Sequence, residues 1–153
     1  MTEPDPAVTA RRDQAAAADQ HAREIIRMAA EAADAHKDTG PPGPVEWVII
    51  RRMIATAKRK EITVCPHISP AAPQPEFWQA WDPRRVRCQD CALAAWQAIL
   101  GTELAETCDN CSTVTEQITD RVTQMPPVAA QAPVVISFRL CPACQAANQN
   151  TTG

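Results

Sequence analysis

Apolar residues recur at helical spacing near the start of the chain. Between residues 8 and 36 they fall every three or four positions among charged and polar residues, a pattern typical of an amphipathic helix with a narrow apolar face. The residues of that face are Ala22, Ile25 or Ile26, Ala29 and Ala33. We expect the helix to end at residues 39–43, where glycine and proline interrupt the hydrogen-bonded ladder.

A second helix, with a stronger apolar face, is predicted from residue 44 to about residue 60. Pro44 suits its first turn, because the first helical amide has no partner within the helix. The predicted apolar face consists of Trp47, Ile50, Met53, Ile54 and Ala57. We expect Trp47, and Trp96 further along the chain, to lie in the core.

Strand-like and helix-like patterns then alternate in two similar rounds. The first round predicts a short strand at residues 62–64 and a hairpin formed by residues 77–81 and 85–87. A helix is predicted from Cys88 onward, and Gly101 is expected to end it.

The second round repeats this order of elements. Residues 113–125 alternate imperfectly between apolar and polar, residues 134–140 form a clear strand pattern, and a short helix is predicted to begin at Cys141. The chain therefore contains one structural plan twice.

Four pairs of potential metal ligands are placed at the same points of the two rounds. They are Cys65 with His67, Cys88 with Cys91, Cys108 with Cys111, and Cys141 with Cys144. Seven cysteines are an odd number for disulfides, whereas seven cysteines and one histidine complete two tetrahedral sites. We therefore predict two structural zinc ions as cofactors, although spacing alone leaves an iron–sulfur cluster open.

The eight ligands can be divided in two ways. Sequential pairing gives one site of Cys65, His67, Cys88 and Cys91 and another of Cys108, Cys111, Cys141 and Cys144, whereas a cross-brace interleaves the four pairs. Loop-closure entropy changes too slowly with loop length to decide between them. The repeated plan favours sequential pairing.

Each round has the same order of elements. It begins with a tight turn that carries two ligands, continues with a hairpin, and ends with a helix whose first turn carries two more ligands. This order resembles the treble-clef zinc fold, and a pair of zinc ribbons would give a similar pattern. The resemblance covers Cys65 to about residue 149 and implies two small zinc-stabilised knuckle-hairpin-helix units. With the two helices predicted before them, the expected fold class is α+β. The predicted segments are a tail and helix at 1–43, a basic helix and lead-in strand at 44–64, and zinc units at 65–104 and 105–153.

Composition explains why metal would be needed. Leu, Ile, Val and Phe together number 26 of 153 residues, which is few for an ordinary apolar core, while the net charge is only −3. Structural zinc supplies on the order of 10–16 kcal/mol of apparent binding energy to small modules.

We expect a cytoplasmic protein without a membrane partner, because neither a secretion signal nor an apolar stretch of bilayer length is recognised. Twelve arginines against three lysines suggest a bacterial or phage gene.

No enzymatic activity is expected. Two sites fully ligated by protein leave no position for a reactive water, so the metals would be structural. A zinc deaminase needs His-x-Glu, but Ile68 and Ser69 follow His67. No histidine beyond the ligand remains in this region to serve as a nuclease base.

Charge is segregated along the chain, which points to a partner. Residues 47–91 carry eight cations and four anions, whereas the segments on both sides are net acidic. Arginine interleaved with aromatic residues is typical of nucleic-acid contact. The candidate residues are Arg51, Arg52, Lys58, Arg59, Lys60, Arg84, Arg85, Arg87, Trp78 and Trp81. A protein-interaction adaptor that docks through the N-terminal helix or the aromatic hairpin is supported equally well.

Overall fold

The computed structural model describes residues 5–32, 42–59, 61–69, 74–125 and 133–149. The elements are α1 (Pro6–Ala32), α2 (Pro44–Lys58), β1 (Thr63–Val64), β2 (Glu76–Gln79), β3 (Arg85–Arg87), α3 (Gln89–Ile99), a 3-10 turn (Glu103–Glu106), β4 (Thr119–Met125), β5 (Val134–Leu140) and α4 (Pro142–Gln149). The fold is α+β, as predicted. None of the described helices is both long enough and apolar enough to span a membrane.

The five strands form one mixed sheet in the order β1-β3-β2-β5-β4. Hairpin β2–β3 belongs to the first predicted zinc unit and hairpin β4–β5 to the second, and both are antiparallel. Strand β2 pairs in parallel with β5, with Glu76 opposite Val134 and Gln79 opposite Ser137. The sheet therefore continues across the predicted boundary at 104/105, which itself stays a prediction.

Helices cover both faces of this sheet. Successive strand residues point to opposite sides, so Trp78 and Ile136 join the cluster that includes Met53 of α2. Their neighbours Phe77 and Val135 pack on the other side with Ala92 of α3. Helix α4 accompanies α2 on the first face, and α1 lies against β4. The result is three layers, helix on sheet on helix.

Helix α2 buries most of the predicted face, since Ile50 and Met53 are buried and Ile54 and Ala57 pack, partly buried, against the same cluster. Its buried side chains are Glu46, Ile49, Ile50, Met53 and Thr56. The prediction that Trp47 is core is wrong, because Trp47 is 37% exposed. Trp96 is exposed to the same extent, since α3 buries only Ala92 against the sheet. One of the buried residues of α2, near its start, is acidic.

That residue is Glu46, which ties α2 to the far edge of the sheet. Its Oε1 lies 2.6 Å from Nε of Arg121 on β4, and the two side chains are almost fully buried. Its Oε2 accepts a hydrogen bond of 2.7 Å from the backbone amide of Gly43. Because the carboxylate is paired and hydrogen-bonded, its burial is tolerated.

The first turn of α2 is capped by a residue from the end of the chain. Asn148 of α4 is buried, and its Oδ1 accepts hydrogen bonds of 3.1 Å from the amides of Val45 and Glu46. These are amides that a helix start leaves without partners. A Cβ on Gly43 would overlap the side-chain amide of Asn148, so the cap requires glycine at this position.

Helix α1 was predicted over residues 8–36 and is described over Pro6–Ala32, with residues 33–41 outside the described part of the chain. The side chains of its predicted apolar face also lie outside the description. Asp19 Oδ1 accepts a hydrogen bond of 2.5 Å from Gln124 Nε2 on β4. His21 Nε2 lies 3.0 Å from Gln89 Oε1 at the start of α3. Polar contacts therefore attach α1 to both zinc units.

Gly43→Ala and Asn148→Ala should each destabilise the protein by about 1 kcal/mol, the usual cost of a lost helix N-cap. The glycine substitution displaces the Asn148 amide and the asparagine substitution deletes it, so both remove the same two hydrogen bonds. The double variant should therefore be no less stable than either single variant. Chemical denaturation of all four proteins at constant zinc tests this, and additive losses would contradict it.

Candidate metal centres

The first cluster contains Cys65, His67, Cys88 and Cys91, whose ligand atoms all lie within 4.8 Å of one another. Cys65 Sγ is 3.8 Å from Cys88 Sγ and 3.6 Å from Cys91 Sγ. The Nδ1 atom of His67 is 3.1–3.9 Å from the three sulfurs. Tetrahedral zinc with Zn–S of about 2.3 Å and Zn–N of about 2.0 Å separates such atoms by about 3.5–3.8 Å. The cluster could therefore hold one tetrahedral ion.

The second cluster contains Cys108, Cys111, Cys141 and Cys144, which also lie within 4.8 Å of one another. Cys111 Sγ and Cys141 Sγ are 3.6 Å apart. All seven cysteines are free, and these separations are far longer than the bond of about 2.05 Å in a disulfide. The structure groups the eight ligands by sequential pairing and not by the interleaved scheme.

The same backbone contact positions the knuckle in both units. The amide of Cys65 donates to the carbonyl of Val86 at 2.8 Å, and the amide of Asp109 donates to that of Arg139 at 2.8 Å. Val86 and Arg139 each stand two residues before the first cysteine of the following helix. Each hairpin therefore holds its knuckle beside the ligands that come after it.

The helix-borne ligands occupy equivalent places. Cys88 is the N-cap of α3, with its carbonyl accepting from the amide of Ala92 at 2.9 Å. Cys141 directly precedes α4, and its carbonyl accepts from the amide of Gln145 at 2.9 Å. Free amides and the positive end of the helix dipole at such a position stabilise thiolates. This placement agrees with the prediction.

The thiols influence one another's ionisation. A backbone hydrogen bond from Cys88 lowers the pKa of Cys65 to about 6, and Cys65 in turn raises the pKa of Cys91 to about 11. In the second cluster the Thr113 hydroxyl, 3.1 Å from Cys111 Sγ, lowers the pKa of Cys111 to about 6. Burial raises the pKa of Cys144 to about 12. Several thiols of one cluster can be ionised at the same time only if a cation lies among them.

A buried ion pair fixes the second knuckle. Arg139 of β5 is 1% exposed, and its Nη2 donates to Asp109 Oδ1 at 2.9 Å. The Asp109 Oδ2 atom accepts from the backbone amide of Arg139 at 2.6 Å, and Nη1 of the same arginine donates to the carbonyl of Leu104. The guanidinium also stacks 4.5 Å from the ring centroid of Trp81. Burial raises the pKa of Asp109 above its usual value, although the hydrogen bonds from Arg139 oppose that shift.

The polar residues around the second cluster and the cap of α2 were not predicted from the sequence. Arg139 is the one charged residue in the apolar strand Val134–Leu140, and it stands two positions before a ligand, which is a usable signal for a buried ion pair. Asn110 Nδ2 lies 3.3 Å from Cys144 Sγ within the knuckle. No local pattern reveals the Asn148 cap, because Asn148 and Val45 are 103 residues apart.

The predicted nucleic-acid residues fall into two groups. Arg51, Lys58, Arg59, Arg84 and Arg85 are exposed. Arg52 is also exposed, although its Nη1 donates to the carbonyl of Asn110 at 3.2 Å. Lys60 lies outside the described residues.

The remaining predicted residues are engaged within the fold. Trp78 is 8% exposed and donates from Nε1 to the carbonyl of Pro83 at 2.9 Å, so its ring is not available to a base. Arg87 Nη2 is 2.5 Å from the Asp82 carboxylate. Trp81 is partly buried beneath Arg139.

Comparison with protein-family models, curated protein sequences and solved structures finds no significant match to this chain.

Arg139→Met should destabilise the zinc-loaded protein by about 3–5 kcal/mol, because Asp109 would be left as an unpaired buried charge beside four thiolates. Asp109→Asn in the same background should recover part of that loss, since an amide oxygen still accepts the backbone hydrogen bond. Denaturation at fixed zinc measures both. A loss within the range of about 0–1 kcal/mol seen for surface pairs would contradict the assignment.

Proposed function

We propose that this chain is a non-catalytic zinc protein with two sites, one formed by three cysteines and a histidine and the other by four cysteines. The observation that carries the proposal is the convergence of four ligand atoms at each place, with spacings that suit tetrahedral zinc. Neutral or anionic N and S donors are the ligands zinc prefers, and four of them complete its coordination. With no open position on either metal, the ions would serve stability and not catalysis.

We further propose that both units are treble-clef-like. Support comes from the order of elements, since each knuckle precedes an antiparallel hairpin and the strand that ends the hairpin leads into a helix at the second ligand pair. The repeated contact from knuckle amide to hairpin carbonyl adds to this. Zinc would then connect the knuckle of each unit to the start of its helix.

Nucleic acid is the partner we propose, bound through cations at one edge of the sheet. Thr63 of β1 donates to the carbonyl of Arg84 at 2.7 Å, and β1 follows α2 after a short connection. This pairing brings the basic end of α2 toward the basic start of β3. The members of this basic edge are Lys58, Arg59, Arg84 and Arg85, all of them exposed.

The ion pairs between the basic edge and the carboxylates near it are long and exposed. Arg84 is 3.9 Å from Glu61, and Arg85 is 3.8 Å from Asp82, at the long limit for ion pairs. Exposed pairs of this kind contribute at most about 1 kcal/mol, so a phosphate could displace them. Because Trp78 is buried, the mode we propose is phosphate neutralisation without base stacking, which is insensitive to sequence.

A protein-interaction adaptor is the alternative proposal. The burial of Phe77 and Trp78 argues against docking through the aromatic hairpin. An exposed apolar row on α3, formed by Leu93, Trp96 and Leu100, favours a protein contact there instead.

Elemental analysis of the purified protein should find two zinc ions per chain, as the two clusters require. Cys88→Ser and Cys141→Ser should each reduce the content to one, because each removes a ligand from a different cluster. His67→Cys is the conservative control and should keep both ions. Iron with sulfide, or one metal in the unaltered protein, would contradict the proposal.

Binding to duplex DNA or RNA should weaken as salt rises, because cations at the basic edge displace condensed counterions. Replacing Lys58, Arg59, Arg84 and Arg85 with alanine should reduce the affinity for all sequences alike. The slope of log K against log salt concentration should become shallower by about 0.9 for each duplex phosphate contact that is lost. Fluorescence anisotropy at several salt concentrations measures both quantities.

Arg11→Ala with Arg12→Ala is the matched control, since these exposed cations of α1 lie outside the basic edge. The control should bind as the unaltered protein does. If the unaltered protein shows no salt-dependent binding below about 100 μM, where non-specific binders usually act, the nucleic-acid proposal fails and the adaptor proposal remains.

A further inference from the structure

Helix α3 presents a row of large apolar side chains to solvent. Leu93, Trp96 and Leu100 are three and four positions apart and therefore share one helical face. Leu104 follows in the 3-10 turn that packs against α3. These four residues are 37–52% exposed, while Ala92 is the one buried residue of the helix. A contiguous apolar surface of this kind is typical of an interaction site.

The surroundings of this apolar row are acidic. Asp90, Glu103 and Glu106 are exposed beside it. Between residues 88 and 120 the chain contains six carboxylates and no lysine or arginine. The partner that fits is therefore a helix whose own apolar face is accompanied by cations, since opposite charges favour the encounter and fix its orientation.

Helix α2 of this protein has such a face. Trp47 and Val48 are its exposed large apolar residues, and Arg51 and Arg52 lie one turn further along the same exposed side. The exposed parts of α2 and α3 are thus complementary both in apolar character and in charge.

One copy of the chain cannot bring these two surfaces together. Helix α2 packs on the sheet face that carries Trp78 and Ile136, whereas α3 packs on the face that carries Phe77 and Val135. The geometry points to head-to-tail self-association, in which α2 of one copy docks on the apolar row of α3 in a second copy. Because the two surfaces differ, each copy can engage two neighbours, and the contact builds chains or rings.

The contact of one helix with another is small compared with the interface of a permanent dimer, so association should be weak and concentration-dependent. Sedimentation of the zinc-loaded full chain should show the average mass rising between about 10 μM and about 1 mM, the range of weak dissociation constants. Raising the salt concentration should reduce the association, because the flanking charges are exposed. A monomer at every concentration up to about 1 mM overturns the proposal.

Two variants test the head-to-tail arrangement directly. Leu93→Gln with Trp96→Gln removes the α3 surface, and Trp47→Gln with Val48→Gln removes the α2 surface. Each variant alone should be monomeric. An equal mixture should form a 1:1 dimer that grows no further, because one intact surface of each kind is present.

The controls separate this contact from misfolding and from nucleic-acid binding. Ala94→Gln alters an exposed position of α3 outside the row and should assemble as the unaltered protein does. Zinc content and circular dichroism of every variant should match the unaltered protein, since all substituted side chains are exposed. None of them belongs to the basic edge, so nucleic-acid binding should be unchanged. A mixture that stays monomeric, or an α3 variant that still assembles, contradicts the proposal.

Discussion

The parallel pairing of β2 with β5 is the interaction on which the rest of the architecture depends. It joins Glu76–Gln79 to Val134–Ser137 and so turns two short hairpins into one five-stranded sheet. Neither hairpin alone offers enough apolar surface to bury, given how few large aliphatic residues the chain contains. Combined, they give the sheet two faces, one for Met53 and Phe138 and one for Ala92 and Val135. The small core is therefore shared between the two hairpins.

Buried polar contacts connect the helices and the second knuckle to this core and to one another. The Glu46–Arg121 pair holds α2 against β4, and the Asp109–Arg139 pair holds the second knuckle against β5. Asn148 joins the end of the chain to the start of α2. Buried pairs of this type add little net stability compared with apolar packing, but removing one member is costly. Each of these contacts connects two elements that are distant in the sequence.

The two clusters differ in how they meet solvent. Three ligands of the second cluster are buried and only Cys111 is exposed, whereas Cys88 is the one buried ligand of the first cluster and His67 is exposed. The second knuckle also has its own polar support from Asp109 and Arg139. Hydrogen bonds around metal ligands hold the ligands in the orientation that binds the ion and so increase its affinity. One repeated plan has thus produced a protected centre and a more accessible one.

Much of the local structure was determined by the sequence itself. Ligand spacing singled out the eight residues that the fold gathers into two clusters, strand patterns located β3 and β5, and a glycine at positive φ, Gly101, follows α3 as expected. These features depend on neighbours within a few residues, where spacing and backbone preference decide. The extended segment predicted for residues 113–125 forms strand only over Thr119–Met125, because pairing with β5 sets its length.

What only the tertiary structure decided involves residues far apart in the chain. Periodicity placed Trp47 and Trp96 in the core, yet which residues of a helix are buried depends on what packs against it, and α2 buries Glu46 while Trp47 stays exposed. Trp78 was predicted to stack on a base, but it is buried in the cluster that the sheet forms with α2. The joining of β2 to β5, the Asn148 cap and the two buried ion pairs each connect distant segments. A linear pattern records how apolar a residue is but not what will lie against it, and that contact is fixed only when the sheet assembles.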